Sequence, residues 1–247
     1  MRRPLIHIML ATALLVPALP TVAVAARIDK TQTTAPTRAL YLQLIRQARA
    51  DGRPRAAIAY LDDFDRQFPR DREAGLLRVN SLLDLGQVDE AEAALSTISR
   101  PGSAGKNGGK EAGEVDAMHG HVLAARGFWD AAIPPYTSAV AADPTSPILR
   151  NALGYALLRT HRNGPAIEAL RGAADLAPGD TVIRNNLILA YAVAGQKQAA
   201  ADMISRVEDR RAQGVLRRQI ATEAARITAL PILSASAGPV PHTPKER

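Results

Sequence analysis

A chain of 247 residues, 47% hydrophobic and 22% charged, is long enough for one elongated domain with a continuous core. Aromatic residues are only 4% and cysteine is absent, so the core must be aliphatic. Disulfides, thiol catalysis, cysteine-ligated metal and a lipid-modified N-terminal cysteine are all excluded. The formal charge of +7 favours acidic partners or surfaces.

Arg2 and Arg3 precede an apolar run from Met9 to Val16, followed by Pro17, Pro20 and Ala23–Val24–Ala25. This is the pattern of a secretory signal peptide, with 1–25 removed after Ala25. A retained anchor would need about 20 apolar residues, and Pro17, Pro20 and Arg27 interrupt the run. The mature chain is therefore expected to be exported, as a soluble periplasmic protein and not a lipoprotein. Export also removes it from the cytoplasmic nucleic acid that a basic chain would otherwise suggest. Residues 26–37 are polar and threonine-rich, and read as a flexible lead-in.

From Arg38 onward, apolar residues recur at the three- and four-residue spacings that share one helical face. Leu40, Leu44, Ile45 and Ala48 form one stripe, Asp51–Gly52 turns the chain, and Ala57, Leu61 and Phe64 form the next, ending at Pro69. A second copy begins at Arg72, with Val79, Leu82 and Leu83, a turn at Leu85–Gly86, then Ala91, Leu95 and Ile98. Arg100–Pro101 ends it. The glycine-rich stretch at 101–113 has no periodic face and is expected to be an exposed, mobile loop insertion. Its GSAGKNGGK joins glycines to lysines but lacks the spacing of a phosphate-binding loop.

The third copy, Gly113 to Ser146, carries Gly120, Leu123, Gly127, Ala132, Tyr136, Ala139 and Pro144. In the fourth, two runs meet at His161–Arg162–Asn163–Gly164. The fifth, from Thr181 to about Gly214, departs at Ile188, where a small residue is usual, and lacks a closing proline. After Gly214, Leu216, Ile220, Ala224 and Ile227 make one more stripe, with Glu223, Arg217, Arg218 and Arg226 facing elsewhere. Pro231 stops it, and 231–247 reads as a disordered tail.

The fourth copy places Leu153–Gly154, Leu157, Ala166, Leu170, Ala173 and Pro178 so that it resembles the 34-residue tetratricopeptide (TPR) repeat. The resemblance implies an all-α fold: an α-α superhelix (TPR solenoid), right-handed, spanning 38–230, with about five helix-turn-helix repeats plus a C-terminal capping helix. Stability then comes largely from interfaces between neighbouring repeats. Gly154 is small where helices must approach, so a branched residue there should overpack the interface.

Chemistry is not evident. His119 and His121 point to different faces of a helix, His161 lies in a turn, and His7 and His242 fall in the leader and tail. No three or four ligands converge as a zinc site requires, and no hydrolase, phosphate-loop or metalloprotease motif occurs. A non-catalytic chain without a cofactor is expected.

In repeats of this kind the concave surface is lined by first helices. By register this gives Arg46 and Arg49; Leu76, Asn80 and Asp84; His121; Asn151, Tyr155 and Arg159; and Asn185, Leu189 and Val193. Protein-binding contact is expected of Asn151, Tyr155, Arg159, Asn185 and His121. Asparagine can both donate to and accept from a peptide backbone, tyrosine adds rigid contact area and arginine can meet a carboxylate. Asn185 could equally satisfy neighbouring helix groups, and Tyr155 could pack between repeats. Arg206, Arg210, Arg211, Arg217 and Arg218 are either solvated among Glu208, Asp209 and Glu223, or a basic patch for an anionic protein or envelope surface.

Residues 184–190, RNNLILA, followed by Gly195 and Ala200, look like the closing repeat of the TPR proteins encoded with tight-adherence (Flp-type) pilus machines. That resemblance implies an exported assembly factor that positions secretion components. Two alternatives remain open: an adaptor in cell-wall or outer-membrane biogenesis, and an accessory module of an enzyme.

Overall fold

The computed structural model describes residues 34–98 and 108–229. The signal segment 1–25, most of the lead-in, positions 99–107, which take in the first part of the 101–113 insertion, and the tail 231–247 lie outside the described residues. Those described form eleven α-helices and no strand. They are α1 (Thr34–Ala50), α2 (Pro54–Gln67), α3 (Arg72–Asp84), α4 (Val88–Ser96), α5 (Gly108–Ala125), α6 (Trp129–Ala142), α7 (Pro147–Arg159), α8 (Asn163–Leu176), α9 (Thr181–Val193), α10 (Lys197–Ser205) and α11 (Arg210–Thr228). The fold is all-α, a solenoid of helix-turn-helix repeats. The chain divides into two compact units, residues 1–128 and 129–247.

In the first unit α1 packs on α2, α2 on α3 and α3 on α4, while α5 lies against α4 and α3. Leu42, Ile45, Ala48, Ala57, Leu61, Phe64, Ala74 and Leu77 make its core. The stripe on α1 is rotated from the expected one. Leu40 is 67% and Leu44 42% exposed, whereas Leu42 is 1% exposed. Both sets satisfy a helical spacing, and packing against α2 selects the one containing Leu42.

Three helix boundaries also differ from expectation. Helix α1 begins at Thr34, within the lead-in, and α5 begins at Gly108, within the expected loop at 101–113. Glycine weakens a helix, but here Arg72 of α3 donates to the Glu111 carbonyl and pairs with Glu114 at 3.0 Å. Tertiary anchoring overrides the local preference. Helix α11 starts at Arg210 and not after Gly214, because Asp209 caps it by accepting from the Arg211 amide at 2.8 Å. Asp71 caps α3 in the same way, accepting from Ala74 N at 3.0 Å while Arg38 Nε donates to it at 2.7 Å. Burial raises the Asp71 carboxyl, but the Arg38 and Ala74 hydrogen bonds outweigh it and hold the group below its usual range.

In the second unit α6 packs on α7, α7 on α8, α8 on α9, and α9 on both α10 and α11. Leu157, Leu158, Ala166, Ile167 and Leu170 join Leu187–Tyr191 and the α11 residues Leu216, Ile220 and Ile227 in one core. A Cβ added at Gly154 would lie 2.6 Å from Leu170 Cγ and 3.2 Å from the Leu170 backbone nitrogen. The glycine is therefore what lets α7 and α8 close. The turns between paired helices share a left-handed residue: Gly52, Gly86, Gly127 and Gly195, with φ of 68°, 74°, 84° and 75°. At the equivalent place in the fourth repeat stands His161, φ 60°, which holds that geometry despite its Cβ.

Candidate protein-binding faces

First helices of successive repeats share a face, since α1 touches α3, α3 touches α5, and α7 touches α9. In the first unit arginines tie this face together. Arg46 pairs with Glu73, Arg49 with Asp84 at 2.9 Å, and Arg72 with Glu114. Between α3 and α5 opens a cleft of about 460 Å³, lined by Arg72, Glu73, Leu76, Leu77, Asn80, Lys110, Glu111 and Glu114. Leu76 and Asn80 thus line a real concavity, as their register implied. Glu111 and Glu114 come from a stretch read partly as loop, so the sequence reading missed them.

His121 lies on α5 in the first unit, near Arg49 and Asp84. Burial, reinforced by the Arg49 charge and partly opposed by Asp84, lowers its imidazole to about 4. The unfolded chain titrates near the ordinary value of about 6.5. Between those values the unfolded state binds the extra proton, so stability rises with pH there. Stability should be complete above about pH 6.5 and fall as the pH drops towards 4. A His121→Gln variant should lose that part of the slope in urea unfolding followed from pH 4 to 8, and an unchanged slope would refute the assignment.

The other four expected binding residues belong to the second unit, where the structure gives most of them internal partners. Asn151 Oδ1 accepts from Asn186 Nδ2 at 2.9 Å, which joins α7 to α9. The Tyr155 ring meets Trp129 edge-on, with centroids 5.5 Å apart, and the Arg159 guanidinium lies 4.5 Å from the centre of the same indole. Such cation–π stacking contributes about 0.5–1 kcal/mol at exposed sites and more when desolvated. Trp129 was not anticipated, although it is the only tryptophan. It opens α6, a second helix, and register alone does not bring it to Tyr155. The Tyr155 hydroxyl is raised by burial, with Arg159 beside it acting the other way. The buried Asn185 Oδ1 has no hydrogen-bond partner among the described residues.

Two placements are corrected. Leu189, expected along the open concave surface, is 1% exposed, because α11 packs on α9. Glu223, expected to face away from the apolar stripe of α11, is 8% exposed. It falls between Ile220 and Ile227 at the same spacing, so it is carried inward with them. Of the basic cluster, Arg206, Arg210, Arg211, Arg217 and Arg218 are all exposed.

Among the described residues, no three His, Asp or Glu side chains gather as metal ligands, and no helix is long and apolar enough to cross a membrane. Two stretches, 48–102 and 117–181, match tetratricopeptide-repeat profiles. The chain contains tetratricopeptide repeats.

The matched stretches leave out most of α1 and nearly all of the fifth helix pair, α9 and α10. Those are the places where Ile45 and Ile188 occupy the position of Gly154. Solved TPR structures share the fold. A thermophilic TPR protein of Thermus thermophilus, TTC0263, is 21% identical with a TM-score of 0.57, over 76% of this chain and 99% of that one. MamA from Desulfovibrio magneticus RS-1, residue 41 to the end, is 21% identical with a TM-score of 0.51, over 74% and 96%. No curated protein matches the sequence. TPR proteins act as protein-interaction scaffolds, and the TPR fold is typically non-catalytic.

Proposed function

We propose that the chain is an exported, non-catalytic scaffold that binds protein partners in the periplasm and assists assembly of a tight-adherence pilus or its secretion apparatus. The observation that carries the binding part is the cleft between α3 and α5, where Leu76 and Asn80 sit between groups of both charges. Apolar contact area, an amide that both donates and accepts, and flanking charges suit a peptide segment or helix. Export is supported by residues 1–25, and the pilus assignment by residues 184–190 with Gly195 and Ala200.

Crosslinking in the native envelope followed by mass spectrometry tests the whole reading. Pilus or secretin components are the expected partners, with recovery at least tenfold lower for a Leu76→Ala, Asn80→Ala double variant. A folded double variant that keeps every partner overturns the cleft assignment. Partners drawn from cell-wall or outer-membrane biogenesis overturn the pilus assignment.

A further inference from the structure

Helix α11 does not continue the repeat pattern that it closes. The first helix of the fifth repeat, α9, packs mainly on α8 and only secondarily on α7. Helix α11 reverses that order, with α9 as its main neighbour and α10 a minor one. It therefore lies on the first-helix face instead of taking the next place in the stack. Leu189 on α9 is the equivalent of Tyr155 on α7, and it is covered, as is every residue from Asn186 to Tyr191. Further along α11, the charges of Glu223 and Arg226 act on the Tyr155 hydroxyl. The helix thus reaches from α9 towards α7.

The seat and its occupant are poorly matched. Leu216, Ile220 and Ile227 are buried, and Glu223 is buried among them. One Glu223 oxygen accepts from Arg226 Nη1 at 3.0 Å, while the other is buried without a partner. Buried polar atoms left unpaired oppose the burial that holds the helix down. The outer face of α11 suits water, with Arg210, Arg211, Arg217 and Arg218 exposed, and Gly214 within the helix weakens it further. The same first-helix face also carries two exposed apolar residues at equivalent repeat positions, Ile148 (66%) and Val182 (45%).

From this geometry we infer that the first-helix face of α7 and α9 is a helix-binding groove, with α11 as its resident and displaceable occupant. The external occupant is an amphipathic helix of a partner protein. It is apolar at the spacing of Leu216, Ile220 and Ile227 and uncharged where α11 places Glu223. The inference rests on the scaffold reading above, but it concerns a separate groove in the other unit.

The test uses the full chain and a fluorescent synthetic peptide of residues 210–229, in native form and with Glu223→Leu. The substituted peptide should bind saturably and at least tenfold more tightly than the native one. As it binds, amide exchange should quicken in α11 and stay slow in α9. The Glu223→Leu substitution made in the chain itself should slow α11 exchange and weaken peptide binding, each by about tenfold. The inference is overturned if neither peptide binds saturably. It is equally overturned if α11 exchanges at the rate of α9 in both wild-type and Glu223→Leu chains. Neither measurement needs an envelope partner, so failure to recover partners from the envelope would count against the scaffold reading alone.

Discussion

Replacing Phe64 with alanine should destabilise the first unit by about 3–5 kcal/mol, the range for removing a fully buried phenylalanine. Phe64 has no exposed surface. Its ring meets Tyr41 edge-on at 6.0 Å and Phe68 at 4.7 Å, so α1, α2 and the end of α2 converge on it. The position is one where the fourth repeat has Ala173, and the first repeat has filled that space with the largest side chain of its core. Alanine would leave a void that the helices on either side can close only partly. Phe64→Leu should cost less than half as much, since volume-conserving changes are tolerated best. Urea unfolding followed by far-ultraviolet circular dichroism measures both. A loss below about 1 kcal/mol for Phe64→Ala would mean that this cluster does not hold the unit together.

Leu170→Ala should cost the second unit about 2–5 kcal/mol, and the loss should be coupled to Gly154. Leu170 is fully buried and occupies the space that the missing side chain of Gly154 leaves. Gly154→Val alone should overpack the same contact by about 1–3 kcal/mol, because Leu170 Cγ stands 2.6 Å from the added Cβ and the α8 backbone lies close behind. Combining Gly154→Val with Leu170→Ala should then lose clearly less than the sum of the two, since one change fills what the other empties. A double variant whose loss equals that sum would place the two residues out of contact.

The repeat pattern made most of the fold legible before any coordinates. Ala57, Ala91, Ala132, Ala166 and Ala200 hold equivalent positions, and all are buried. Small residues at such points leave little freedom in how paired helices meet. The rotation of α1 was not legible, because its leucines allow two stripes at helical spacing and only contact with α2 chooses between them. The start of α5 was hidden by glycines whose weakness Arg72 offsets from another helix. In the candidate faces, register led correctly to Leu76 and Asn80 at the cleft. It could not reveal that Tyr155 and Arg159 are taken up by Trp129, which comes from a second helix. Nor could it place α11 on α9, since the apolar stripe of that helix says that it must be covered but not on which side.

Helix α1 leaves two leucines, Leu40 and Leu44, exposed. Should copies meet through those leucines, like would face like, and a two-fold contact of that kind closes on itself. Pairing through α1 would therefore stop at two copies.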